Sequence, residues 1–136
     1  MTDQPPPPIL TGSASLPPSG DERNMAMLCH LLGIIASYTI GLGFVGPLII
    51  WLLKKDSSGF IDFHGKEALN FQLSMMLYLV LLGAFTFVLM FVVVGLLLIP
   101  VIVAVAIAGL VLEILACVAA SRGEWHRYPL CIRFIQ

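Results

Sequence analysis

The chain has 136 residues, of which 59% are hydrophobic and 11% charged, with a formal net charge of −1 and a mean hydropathy of +0.99. A soluble domain carries roughly 25% charged residues, and a core of this length cannot hide so much apolar side chain behind a polar coat, so a lipid-free globular domain is excluded. The small net charge gives no basis for a nucleic-acid or polyanionic partner.

Residues 1–20 hold Pro5-Pro6-Pro7-Pro8, Pro17-Pro18 and several Ser and Gly residues. They are expected to be a disordered tail, because such a stretch buries too little to offset its ordering entropy. Asp3, Asp21, Glu22 and Arg23 precede the first apolar run, and no basic n-region or small-residue cleavage site is present, so no cleavable signal is expected. Asp21 can cap a helix beginning at Glu22.

The apolar stretch then runs from Met25 to Leu53. As one straight helix it would be roughly 43 Å long, more than a hydrocarbon core of about 30 Å. Gly41, Gly43, Gly46 and Pro47 interrupt it. Pro47 suits a first helical turn, so two short helices are expected, about 22–39 and 46–55, joined by a Gly/Pro turn. A polar loop, Lys54 to Glu67, follows. The next helix is expected over about 64–94. Between Leu73 and Leu112 Tyr78 is the one ionisable side chain, which is room enough for two spans. Gly95 and Pro100 mark a tight, uncharged turn. The last helix is expected over 99–121, ended by Arg122-Gly123. Trp125 and Tyr128 suit a headgroup interface, and 122–136 is expected to lie on that surface. The fold class is therefore an all-α membrane protein, a compact bundle of about four helical segments within 21–136.

Six of the seven Lys and Arg residues fall in two places, Lys54, Lys55 and Lys66 in the central loop and Arg122, Arg127 and Arg133 in the tail. A helical hairpin separates these places, so both lie on one side. The positive-inside rule makes that side cytoplasmic. With 22–55 folded as a hairpin, both termini are expected in the cytoplasm of a multi-pass protein of the bacterial cytoplasmic membrane.

Several blocks carry a family pattern. They are Glu22-Arg23-Asn24-Met25-Ala26-Met27-Leu28-Cys29-His30-Leu31, then Gly46-Pro47-Leu48-Ile49-Ile50-Trp51-Leu52-Leu53-Lys54-Lys55-Asp56, then Phe60, Asp62 and His64-Gly65-Lys66-Glu67-Ala68-Leu69-Asn70-Phe71-Gln72, and finally Arg127-Tyr128-Pro129-Leu130 and Ile132-Arg133-Phe134. Over about 21–135 the chain resembles a bacterial family of small membrane proteins of unknown function. That family has been grouped with the small channel-like subunit of the plastid inner-envelope protein translocon (Tic-twenty-like). The resemblance implies about four helices with both ends on one side, and no established activity.

Two groups of polar residues are candidates for function. His64, Glu67, Asn70, Ser74 and Tyr78 follow at intervals of three and four, which places them on one helix face. That stripe is expected to look into the bundle, either as interhelical hydrogen bonding or as a polar path for a solute. Glu113 is the carboxylate inside an apolar span, where a buried charge is costly. Counted at about 1.5 Å per residue from the cytoplasmic ends, His30, Ser74, Tyr78 and Glu113 share one level. They are expected to converge as an intramembrane polar cluster, with Glu113 protonated or paired with His30. The candidate cytoplasmic surface is Lys54, Lys55, Asp62, His64, Lys66, Glu67 and Asn70.

Chemistry finds little support. His64-Gly65-Lys66-Glu67 is not HExxH, and one histidine and one glutamate are too few donors for a metal site. There is no GxSxG motif, and the glycines at 41–46 lack the lysine and strand of a phosphate loop. Cys29, Cys117 and Cys131 are odd in number and lack CxxC spacing, so no disulfide framework is expected. No catalytic set, cofactor or metal is expected. The expected role is a non-enzymatic subunit or scaffold of a membrane complex. The alternative is a small transporter, channel or protein-translocation component using the polar cluster. The expected partners are the lipid bilayer and a membrane-protein partner or a second copy of the chain.

Overall fold

The computed structural model describes residues 16–136. The expectation of disorder over 1–20 therefore falls largely outside the described residues. Four helices follow in order: α1 (Gly20–Ile40), α2 (Val45–Lys54), α3 (Gly59–Met90) and α4 (Ile99–Arg122), with a short 3-10 turn, Val94–Leu98, before α4. The described residues contain helices and irregular segments and no strand, in keeping with the expected all-α fold.

Helix boundaries follow local capping chemistry. Ser19, not Asp21, caps α1. Its side chain accepts from Glu22 N, and the Glu22 carboxylate accepts from Ser19 N at 2.7 Å. This reciprocal box satisfies two otherwise orphaned donors. α1 ends at Gly41, whose φ of 71° is the left-handed conformation that closes a helix at glycine. Ser58 caps α3 by accepting from Phe60 N, so α3 begins five residues before the expected start at 64. The polar loop shrinks accordingly to four residues, 55–58. Gly123, with φ 80°, ends α4.

α1 and α3 run side by side in the same direction, with His30 beside His64 and Ser37 beside Gln72. α4 runs antiparallel to α1, and Cys117 on α4 donates to the Met27 carbonyl. α2 folds back against α1, where Gly46 lies on the Leu32 backbone. The α1–α2 hairpin accompanies only the first half of α3. Beyond Gln72 the arms of α3 and α4 continue as an apolar hairpin that exposes Val80, Leu81, Phe85, Phe87, Val101 and Ile107. α3 and the stretch Val94–Arg122 are long and apolar enough to cross a membrane. So large an exposed apolar surface needs lipid around it.

Candidate functional site

The polar stripe of α3 holds the C-terminal segment along its whole length. After Gly123 the chain has no regular secondary structure, so its backbone polar groups need partners from elsewhere. The stripe supplies them. His64 Nε2 donates to the Glu124 carbonyl at 2.9 Å. The Glu67 carboxylate accepts from Tyr128 N at 3.1 Å. Tyr78 donates its hydroxyl to the Leu130 carbonyl at 2.8 Å. The chain turns at Pro129-Leu130 and comes back. Ser74 Oγ then accepts from Ile132 N at 2.8 Å, and the Asn70 amide takes both backbone groups of Ile135. The segment thus runs along α3 from the level of His64 to that of Tyr78, about 21 Å, and returns to Asn70. Arg133 pairs with Glu67 at 3.1 Å.

This placement corrects two expectations. Tyr128 is not a side chain facing a headgroup interface, because the segment packs along α3. Tyr128 is buried, with its ring stacked on Phe71 at 3.9 Å between centroids. His64, Glu67 and Asn70 are buried beneath the segment and do not form an open cytoplasmic surface. The reason is the demand of an extended backbone for hydrogen-bond partners. Of the remaining surface candidates, Lys54 is exposed and Lys55, Asp62 and Lys66 are half-buried. Lys66 pairs with Asp62 at 2.8 Å. Asp62 also accepts from Trp51 Nε1, and Lys55 lies over the Trp51 ring.

A chain of side chains crosses from α1 to α3 beside this segment. Tyr128 OH lies 2.9 Å from His30 Nδ1, and His30 Nε2 lies 3.0 Å from His64 Nδ1. The proton positions follow from the far end. The Glu124 carbonyl can only accept, so His64 Nε2 carries the hydrogen. In neutral His64 Nδ1 then accepts from His30 Nε2–H, and His30 Nδ1 accepts from the Tyr128 hydroxyl. Burial holds the Tyr128 phenol well above its ordinary range, in keeping with a hydroxyl that donates. His126 on the same segment is pushed down by burial, with Glu124 opposing.

A second chain lies one level further along. Ser37 donates to the Gln72 carbonyl oxygen at 3.0 Å, and the Gln72 amide donates to Glu113 Oε1. These three residues line one end of a cavity of about 340 Å³ between α1, α3 and α4. The profile of the magnetosome magnetite crystal formation protein family matches residues 21–135. The chain belongs to that family. The match takes in all four helices and the C-terminal segment up to Ile135, so the segment docked on α3 is part of the unit that this magnetosome family shares. No curated protein and no solved structure matches the chain.

The four residues expected to converge in this family member divide among three arrangements. His30 joins His64 and Tyr128, Glu113 joins Gln72, and Ser74 and Tyr78 hold the C-terminal segment. The partner of Glu113 is therefore Gln72 and not His30. Sequence reasoning passed over Gln72 and Ser37. The signal was present. Gln72 is the last strongly polar side chain before the uncharged run of α3, and Glu113 is the first after that run in α4, so the two had to meet if the hairpin arms are of equal length. Among the described residues no group of three or more His, Cys, Asp or Glu side chains is arranged to hold a metal ion.

Proposed function

We propose that this integral membrane protein is a non-enzymatic scaffold or subunit of a membrane complex. Its place would be the magnetosome membrane, in magnetite crystal formation. The observation that carries the reading is the α3 stripe. His64, Glu67, Asn70, Ser74 and Tyr78 are each engaged in holding the backbone of the C-terminal segment. Side chains committed in this way favour a rigid frame over a nucleophile activated by a base. In this reading the protein is multi-pass with both termini cytoplasmic. The Lys and Arg residues of the central loop and of the tail support that orientation.

The test has two parts. Expressed in a magnetotactic host lacking its own family member, the chain should restore crystal size, measured by electron microscopy. Purified from that host in mild detergent, it should carry a defined membrane-protein partner. Recovery of crystals without a partner would sink the scaffold reading, and no effect on crystals would sink the magnetosome role.

A second reading, a transport or Tic-twenty-like translocation component, draws support from the Ser37–Gln72–Glu113 end of the cavity. It calls for solute or ion flux through purified protein in liposomes, and an absence of flux above empty liposomes would dismiss it.

A further inference from the structure

The uncharged run of α3 rises about 27 Å from Leu73 to Met90, close to the roughly 30 Å of a hydrocarbon core. Gln72 and Glu113 close the base of the hairpin by touching. They mark the base of the uncharged hairpin, and the cavity beside them straddles that level. Ser37, Gln72 and Glu113 line one end, and Met76, Leu79, Val80 and Leu110 line the walls that continue into the apolar hairpin. From Gln72 to Val80 the walls extend about 12 Å. Tyr38, Met76 and Val80 are both lining and exposed, so the cavity opens sideways toward the bilayer. Tyr38 is a side chain suited to the interface.

The polar end has a definite chemistry. Gln72 is engaged on both its amide groups, by Ser37 and by Glu113. Among the described residues, only Oε1 of Glu113 has a hydrogen-bond partner. The second oxygen is the acceptor that remains. No lysine or arginine lines the cavity, so nothing there recognises a phosphate by charge. The complement is an apolar chain whose polar end donates hydrogen bonds and carries positive charge.

We propose that the cavity is a binding site for one membrane lipid with a primary-amine headgroup, its ammonium donating to Glu113 and one acyl chain lying along the Met76–Val80 wall. An ammonium there would also offset a carboxylate held at the base of the uncharged hairpin, where an unpaired charge is costly. The inference stands on the cavity and is independent of the scaffold reading.

The experiment uses the full chain, purified in detergent, stripped of lipid and titrated with phosphatidylethanolamine or phosphatidylcholine of identical acyl chains. The two headgroups share a net charge, but only the first has N–H donors. Native mass spectrometry should find one phosphatidylethanolamine per chain, preferred at least tenfold over phosphatidylcholine. Ala106→Phe, which fills the cavity from α4, should abolish retention of either lipid. Should that variant fail to fold, Glu113→Gln decides alone, because it keeps the shape and the bond from Gln72. A preference reduced below threefold supports the site, and an unchanged preference overturns it. Equal retention of both lipids by the wild type, retention of neither, or a folded Ala106→Phe that keeps its lipid would also overturn it.

Discussion

Asn70 holds Ile135 by both of that residue's backbone groups. Its Nδ2 donates to the Ile135 carbonyl and its Oδ1 accepts from the Ile135 amide, each at 2.8 Å. One side chain thus does for the end of the chain what a neighbouring strand does in a sheet. Asn70 is itself buried, so the pair is shielded from water, and neither bond is easily replaced.

Replacing Asn70 by Leu should release the returning arm of the segment. Each buried polar group left without a partner costs about 1–3 kcal/mol, and the half-buried Ile135 places the cost toward the lower end. Asn70→Asp, nearly isosteric, should be no better, because it sets a second acceptor against the Ile135 carbonyl. The readout is the thiol labelling rate of Cys131, followed peptide by peptide. That thiol is half-buried, with Ser74 Oγ 3.7 Å away. A rise of roughly tenfold for each 1.4 kcal/mol is expected, and unchanged labelling would contradict the role given to Asn70.

The directed chain Tyr128–His30–His64 makes a graded prediction. Tyr128→Phe keeps the stack on Phe71 and removes one donor, so it should cost about 1 kcal/mol. His64→Leu leaves the Glu124 carbonyl and the His30 N–H both unpartnered and should cost about 2–4 kcal/mol. Thermal or denaturant unfolding in detergent should rank the two in that order. The double variant should fall short of the sum, because the two positions share one network.

Acid should loosen the C-terminal segment before the rest. His126 Nε2 is buried without a hydrogen-bond partner among the described residues, and burial lowers its affinity for a proton. The sign follows by linkage. The docked state binds fewer protons than the released one below the ordinary histidine range near pH 6.5. The stability of docking is therefore complete above that range and falls as pH drops through it. Hydrogen-exchange protection over 124–136, corrected for the pH dependence of intrinsic amide exchange, should fall between pH 7.5 and 5.5 in the wild type. His126→Gln should flatten that dependence, and an identical slope in the variant would remove His126 from the account.

Glycine substitutions should separate by what a methyl group meets. At Gly46 it would lie 2.7 Å from the Leu32 carbonyl oxygen, and at Gly65 2.9 Å from Trp51 Cβ. Both sites are close helix crossings with little freedom to yield, so each alanine variant should lose about 1–3 kcal/mol. At Gly83 the added methyl meets nothing within 4 Å, and alanine there should gain about 0.5–1 kcal/mol from helix propensity. Unfolding of the three variants in one detergent checks the contrast.

What the amino-acid order made legible is what depends on near neighbours. The absence of charge from Leu73 to Leu112 carries the apolar hairpin, and Gly41 with Pro47 marks the break between α1 and α2. The three-and-four spacing of His64, Glu67, Asn70, Ser74 and Tyr78 put them on one face, and that face is indeed occupied by protein over most of its length. Its occupant was not legible. Residues 124–136 have no periodicity, because their hydrogen bonds run to side chains some 50 to 65 positions earlier. Depth counting put His30 and Glu113 at similar levels but could not choose between His64 and Gln72 as their partners, since a level says nothing of rotation about a helix axis. The Tic-twenty-like resemblance rested on much the same blocks that the magnetosome family profile spans, so a motif set located the family unit without fixing its biological setting.

The docked segment also sets a schedule for synthesis. Fifty-seven residues separate Tyr78 from Ile135. At about 5–20 residues per second, the track on α3 leaves the ribosome several seconds before the backbone that covers it exists. During that interval His64, Glu67, Asn70, Ser74 and Tyr78 must be held by water, headgroups or an insertion factor. A nascent chain stalled before Glu124 would keep α3 in that uncovered state, and residues 124–136 are the ones that relieve it.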